Sequence, residues 1–394
     1  MSSILDKAKA IEGYIIDFRR DLHEHPELSG QEIRTQGRIM EELDKLGIPY
    51  EKAGNASVIA TLKGEKSGKT VALRGDTDAL PMQEQSGVEY ASKNPGVFHG
   101  CGHDAHAAML LGAAKVLSDM KADIAGEVRF FFQEGEETFS GAKKIVEAGG
   151  MDGVDAVFGM HGMPFFGNEI LETGEYDMTP GYRMAGCDTI YVKFEGVSGH
   201  GSAPNLAKDT VHPACLFVTD LQGIATKNVD PQQPIVLSVG RIAGGTKANI
   251  ISKYSEVDIS MRYFDQKVRE TVHEAIKRHA KAIADAYEIK VDVVIEESAL
   301  SLYNDEEITS IAQNSAIKIF GEGKRKTLPR FMGSEDMPYY FQHAKGAYAF
   351  LGYYNKEKDS VYFPHHEKYK IDEDMLKFGT ALHVQFALDF LAEK

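Results

Sequence analysis

Apolar residues recur at helical spacing through Ile11, Ile15, Phe18 and Leu22, so the opening stretch 1–48 reads as helical. A break at His23-Glu24-His25-Pro26 separates that pattern from a second helix over about Glu32 to Leu46. Two strands follow, Ser57 to Lys63 and Thr70 to Arg74. Further β-rich runs at Glu127 to Phe132, Asp155 to Gly159 and Ala347 to Tyr353 alternate with helical patterns at Ala107 to Lys121 and Ala142 to Ala148. A last helix covers about Glu373 to Leu391. This alternation predicts an α/β domain with a mixed, largely parallel sheet flanked by helices.

The middle of the chain follows another rhythm. Strand patterns at Asp188 to Glu195, Pro234 to Arg241, Tyr254 to Tyr263 and Ile289 to Glu296 are interleaved with helices at Ala207 to Lys227 and Gln266 to Tyr287. The order β-α-β-β-α-β is that of a ferredoxin-like α+β sandwich. We therefore expect an inserted domain over 185–296, with 1–184 and 297–394 forming one discontinuous domain. The length of 394 residues accommodates two domains, and no internal repeat is evident.

Charge narrows the partners. Lys and Arg number 44 against 59 Asp and Glu, a formal charge of −15 that argues against nucleic acid or an anionic membrane as main partner. Three cysteines, Cys101, Cys187 and Cys215, are too few and too scattered for a disulfide framework, which fits a reducing compartment. The N-terminus lacks a basic region followed by an apolar run, and no stretch approaches the ~18 apolar residues of a membrane span. A cytoplasmic protein is expected.

The densest chemistry lies in His99-Gly100-Cys101-Gly102-His103-Asp104-Ala105-His106, which joins imidazoles, a thiol and a carboxylate on an expected loop before an apolar helix. These are metal-ligating groups. Asp76-Thr77-Asp78, Glu134-Gly135-Glu136-Glu137 and His161 fall where strands are expected to end, the edge on which open α/β sheets place their sites. His365-His366 follows the run Ala347 to Tyr353. Singly, each group has a bland reading: a small buried thiol, a solvated helix start, a structural histidine. Two other motifs fail on context. Gly64 to Thr70 is one residue short of a P-loop and precedes a strand, and Gly196-Val197-Ser198-Gly199-His200 lacks the closing glycine of a nucleophile elbow. A zinc deaminase would need P-C-x-x-C, which does not occur.

Gly100-Cys101-Gly102-His103-Asp104-Ala105-His106, continuing to Gly112, resembles the signature of the M20 metallopeptidase family. Within that family it resembles the amidohydrolase branch of N-acyl-amino-acid, hippurate and auxin-conjugate hydrolases. The resemblance extends in order through Arg19 to Leu28, Leu73 to Pro81, Phe132 to Glu137, Gly159 to His161, Gly244 to Asn249, Gly333 to Asp336 and Ile371 to Asp374. It implies two divalent metal ions per subunit (Zn, Mn, Co or Ni) held by Cys101, His103, Glu137, His161 and His365. It also implies a metal-bridged water as nucleophile and Glu136 as general base. Alignment favours His365 over His366. Asp76, Asp78, Asp104 and His106 would support the ligands, Asp104 by orienting a ligand imidazole. In Gly199 to Pro204, His200 would reach from the inserted lid and dimerisation domain into the partner subunit's site and stabilise the oxyanion. Asn249 and Arg262 would hold the substrate's carboxylate or carbonyl.

The implied activity is hydrolysis of N-acyl-amino acids or similar small amides by a homodimer or higher homo-oligomer. Rival readings are a dipeptidase or aminopeptidase of the same superfamily, and a non-catalytic metal- or peptide-binding protein. One departure stands out. The family's Phe-Gln-Pro is Phe132-Gln133-Glu134 here, an added carboxylate expected to bear on metal preference or on Glu136.

Overall fold

Eight strands form the main sheet of the computed structural model, which describes residues 3–393. From one edge the order is Tyr50–Ala53, Ser57–Lys63, Ala125–Gln133, Lys66–Asp76, Ala156–Met163, Lys345–Gly352, Tyr176–Asp177 and Arg325–Lys326. The four strands from Ala125–Gln133 to Lys345–Gly352 run parallel. The strands Tyr50–Ala53, Ser57–Lys63 and Tyr176–Asp177 add antiparallel pairings, so the sheet is mixed and largely parallel. Its central strands carry continuous apolar runs such as Phe130 to Phe132 and Ala347 to Leu351, because helices cover both faces. The helices His103–Ser118 and Met375–Ala392 are apolar almost all round and share this core.

This sheet belongs to one of two compact units. The first ends at Arg183 and resumes over Tyr303–Pro329 and from Asp336; the second comprises Met184–Leu302 with Arg330–Glu335. In the second, four antiparallel strands stand in the order Ile235–Gly244, Tyr254–Tyr263, Gly186–Glu195, Lys290–Ala299. The helices Val211–Lys227 and Gln266–Ala286 cover one face, burying Ile190, Val192, Phe194, Val257, Ile259 and Met261. The strands pair second, third, first, fourth, the arrangement of a split βαβ sandwich.

The structure departs from the sequence reading at several places. The helix expected from Ala107 begins at His103. Its first turn is polar, and unpaired N–H groups there suit acceptors better than apolar side chains. Strand Lys66–Asp76 starts four residues before Thr70 and pairs around a bulge, so the P-loop-like stretch is a tight turn running into a strand. The edge strand Tyr50–Ala53 and the helix Glu306–Phe320 carry no element in the sequence reading.

Candidate metal centre

Because the central strands are parallel, their carboxyl ends share one edge. Asp76 ends its strand, Glu134 to Glu137 follow Gln133, and His161 lies two residues before the end of Ala156–Met163. Gly102, at φ +87°, turns the chain into the helix that places His103, Asp104 and His106 in its first turn. Added bulk at Gly102 would strike the Tyr369 hydroxyl, so both backbone and space require glycine there.

Hydrogen bonds separate the three histidines by role. His103 Nδ1 donates to Asp78 Oδ1 at 2.9 Å, while its buried Nε2 has no hydrogen-bond partner. His161 Nδ1 donates to the Gly162 carbonyl at 2.7 Å, leaving Nε2 facing Cys101 Sγ at 3.3 Å. A ring that gives its Nδ1 proton to an acceptor presents a lone pair at Nε2, as a metal-ligating histidine does. His106 is engaged at both nitrogens. Nδ1 donates to Asp76 Oδ1 at 2.6 Å, and Nε2 accepts the Gly162 N–H at 3.0 Å. It has no lone pair to offer a metal.

Potential ligand atoms within 4.8 Å of one another form linked groups: Cys101, His103 and His161; Cys101, Glu137 and His365; His103, Glu136 and Glu137. Glu137 Oε1 is buried and accepts no hydrogen bond, although His365 Nε2 lies 3.1 Å away. The cluster holds more negative than positive groups. Burial opposes protonation of His103, yet Asp76, Asp78 and Glu137 push its pKa up to about 10. Burial, with Glu137 and Glu136, holds the Cys101 thiol well above its ordinary range. Burial, with His106, keeps His161 neutral. A divalent ion answers each need: it displaces the thiol and imidazolium protons and neutralises the carboxylates. The donor set therefore fits metal ions.

Asp78 is a hub. Besides His103 it accepts Ser29 Oγ at 2.7 Å and the Glu137 N–H at 3.0 Å on Oδ2, tying a helix start to the glutamate loop. Asp76 takes Arg74 Nη1 at 2.6 Å, and the fully buried Arg74 also reaches Gln133 and Asp336. Sequence reasoning assigned no role to Arg74 or Asp336, though an arginine inside the apolar strand run ending Leu73-Arg74-Gly75-Asp76 is a signal of a buried ion network.

One expectation is corrected. Asp104 orients no ligand imidazole; it pairs with Arg19 Nε at 2.9 Å and His23 Nδ1 at 2.8 Å. One residue along a helix is about 100° of rotation, which aims Asp104 away from the side His103 occupies. The Glu134 carboxylate binds Lys144 Nζ and the amides of Asn55 and Ala56. His366 is held apart, stacked on Tyr362 with centroids 4.6 Å apart and accepting the Lys368 N–H on Nδ1. His365 alone of the pair groups with Cys101 and Glu137.

In the second unit His200 and Asn249 are exposed neighbours. His200 pairs with Ile250 across a short ladder, and the Asn249 carbonyl accepts the Gly201 N–H at 2.9 Å. Both lie beyond the Tyr254 end of strand Tyr254–Tyr263, whereas Arg262 is at the other end, roughly 27 Å along the strand. Arg262 pairs with Cys187 where the chain enters the unit, and its Nη1 donates to Ser334 Oγ at 2.7 Å. Within one chain, then, Asn249 and Arg262 are not brought together.

A buried set of thiol, imidazole and carboxylate donors at the carboxyl edge of a largely parallel sheet, in a chain that also carries a small α+β unit, defines the class: an α/β protein with a candidate metal centre. The family model described as Peptidase family M20/M25/M40 matches residues 72–389. The chain belongs to that family. It is 38% identical over 397 aligned positions to thermostable carboxypeptidase 2 of Saccharolobus solfataricus, covering 99% of this chain and 98% of that one. It is 43% identical over 284 positions to an N-acyl-L-amino acid amidohydrolase of Geobacillus stearothermophilus, covering 71% and 75%. Among solved structures it resembles a Bacillus subtilis protein described as a dinuclear metal binding peptidase of the M20 family. That match has TM-score 0.85 and 31% identity over 97% of this chain and 99% of that one.

Proposed function

We propose that the protein is a dinuclear metal-dependent amidohydrolase that cleaves N-acyl-amino acids or similar small amides. The observation that carries this reading is the buried, carboxylate-rich donor set in which His103 Nε2 and Glu137 Oε1 lack hydrogen bonds while Glu136 stands beside them. Cys101, His103, Glu137, His161 and His365 would hold two divalent ions. Thiolate and imidazole suit zinc, and the carboxylates also admit manganese, cobalt or nickel. Bound ions supply Lewis-acid charge near the scissile carbonyl and lower the pKa of water. Asp78 fixes the His103 tautomer and Asp76 fixes that of His106. Glu136 takes the proton of the attacking water and delivers it to the leaving nitrogen.

The first unit is the catalytic domain in this reading, and the second is a lid through which two copies associate. Its edge strand Ile235–Gly244 exposes Val236 and Ile242, which supports pairing between copies. His200 and Asn249 would come from the partner subunit and meet the oxyanion and substrate, with Arg262 supplied by the same chain as the metals. The three free cysteines accord with a cytoplasmic location, and no helix among the described residues is long and apolar enough to cross a membrane.

The relative named a carboxypeptidase favours one extension. The C-terminal residue of a peptide is itself an N-acylated amino acid with a free carboxylate, so both activities make the same demand on the leaving group. The metal-loaded protein is expected to hydrolyse N-acetyl amino acids, hippurate or N-blocked dipeptides, and to lose that activity on chelation. Preference for unblocked dipeptides would reject this substrate class in favour of an aminopeptidase or dipeptidase.

A further inference from the structure

We propose that Glu32 is a positioning residue for the metal centre: it holds the Glu134–Glu137 loop in the conformation that separates Glu136 from Glu137. This rests on the reading of Glu137 as ligand and Glu136 as base. Glu32 stands immediately before the helix Ile33–Leu46, where an acidic side chain ordinarily caps the helix or faces water. Here it makes no side-chain cap bond and is completely buried. Its Oε1 instead accepts the Gly135 N–H at 2.8 Å, and its Oε2 has no hydrogen-bond partner. Burying a carboxyl group with one oxygen lacking a hydrogen-bond partner is costly, so its bond to Gly135 calls for a reason.

The reason lies in what that bond fixes. Gly135 is at φ +60°, a left-handed turn directly before Glu136. Directly after it, the Glu137 N–H is held at 3.0 Å by Asp78, whose same oxygen is tied to Ser29. The Glu136 carbonyl in turn accepts the Phe139 N–H at 2.7 Å. The main chain is thus pinned by a carboxyl group on each side of Glu136, and both anchors draw on the Ser29–Glu32 segment. The directions of the Glu136 and Glu137 side chains follow from the turn that these two bonds bracket, and Glu32 fixes the peptide at its amino-terminal end. Burial, with the nearby Asp78 charge, pushes the Glu32 carboxyl up to about 7, so a neutral acceptor of the same shape suits the site.

The test compares three substitutions in the full-length protein. Metal-stripped samples are titrated with Co2+ alone, and loaded samples are assayed on the N-acyl amino acid that the unchanged protein hydrolyses fastest. Glu32→Ala should weaken one of the two Co2+ sites and lower kcat by about 10- to 100-fold, with KM within about threefold. Glu32→Gln keeps the acceptor and should restore both values to within about threefold of the unchanged protein. Glu32→Asp falls one methylene short and should behave as Glu32→Ala. If Glu32→Ala does not fold, the contrast between Gln and Asp decides. Unchanged Co2+ affinity and kcat in Glu32→Ala would overturn the proposal, and so would equal behaviour of Gln and Asp. A Glu137→Ala protein that still binds two Co2+ ions would overturn the ligand assignment itself, whatever the Glu32 variants do.

Discussion

His103 and His106 are three residues apart on one helix, yet their hydrogen bonds give them opposite tasks. One keeps a free Nε2, and the other spends both nitrogens on Asp76 and the Gly162 amide. The sequence makes the donor types legible, because thiol, imidazole and carboxylate are crowded into one motif. It does not reveal directions. Asp104 follows His103 directly, yet points to Arg19 and His23, and Glu134 precedes the glutamate pair, yet points to Lys144. Only the helical rotation and the local turn decide this. The adjacent His365 and His366 differ in the same way, since His366 is stacked on Tyr362 while His365 lies 3.1 Å from Glu137. His365→Ala is expected to lose one of two metal ions and most turnover, and His366→Ala to keep both. Metal analysis of the two purified variants checks this, and the reverse pattern would exchange their roles.

At the scale of elements, the legible features were those with a strong period. Strand Ser57–Lys63 and strand Tyr254–Tyr263 stand where apolar runs and alternation place them. Elements with polar ends were missed or shortened, such as the first turn from His103 and the edge strand Tyr50–Ala53, because their residues answer to hydrogen bonds rather than to burial. The helix Met375–Ala392 hides another polar group. His383 is fully buried against Phe158, and neither ring nitrogen has a partner. Burial, with His106 adding repulsion, lowers its pKa to about 3. The unfolded chain therefore binds this proton below about pH 6.5 while the folded chain refuses it until about pH 3, so stability falls as pH drops through that window. His383→Leu should make the acid limb of urea-unfolding stability shallower by up to about 1.4 kcal/mol per pH unit. An unchanged slope would mean that the ring is already protonated in the fold.

The whole molecule was legible as an order of elements: an α/β pattern interrupted by β-α-β-β-α-β. What the order could not convey is that Arg262 and Asn249 lie at opposite ends of one sheet. A site needing both, with His200, calls for a second copy of the chain. Co-expressing His200→Ala with Glu136→Gln tests this. Each homodimer should be nearly inactive, but each mixed dimer should assemble one intact site from two chains, restoring about half of unchanged activity per mixed dimer and about a quarter in a randomly mixed sample. No recovery in demonstrably mixed dimers would exclude the cross-subunit role. The proposed chemistry depends first on metal ions held by Cys101, His103, Glu137, His161 and His365, with Glu136 beside them as base and not as ligand. Its most direct measurement is kcat of metal-loaded Glu136→Gln with the bound metal counted in the same sample. Two ions per chain and a loss of about 10²- to 10⁴-fold in kcat are expected. Unimpaired turnover, or loss of metal with the substitution, would contradict it.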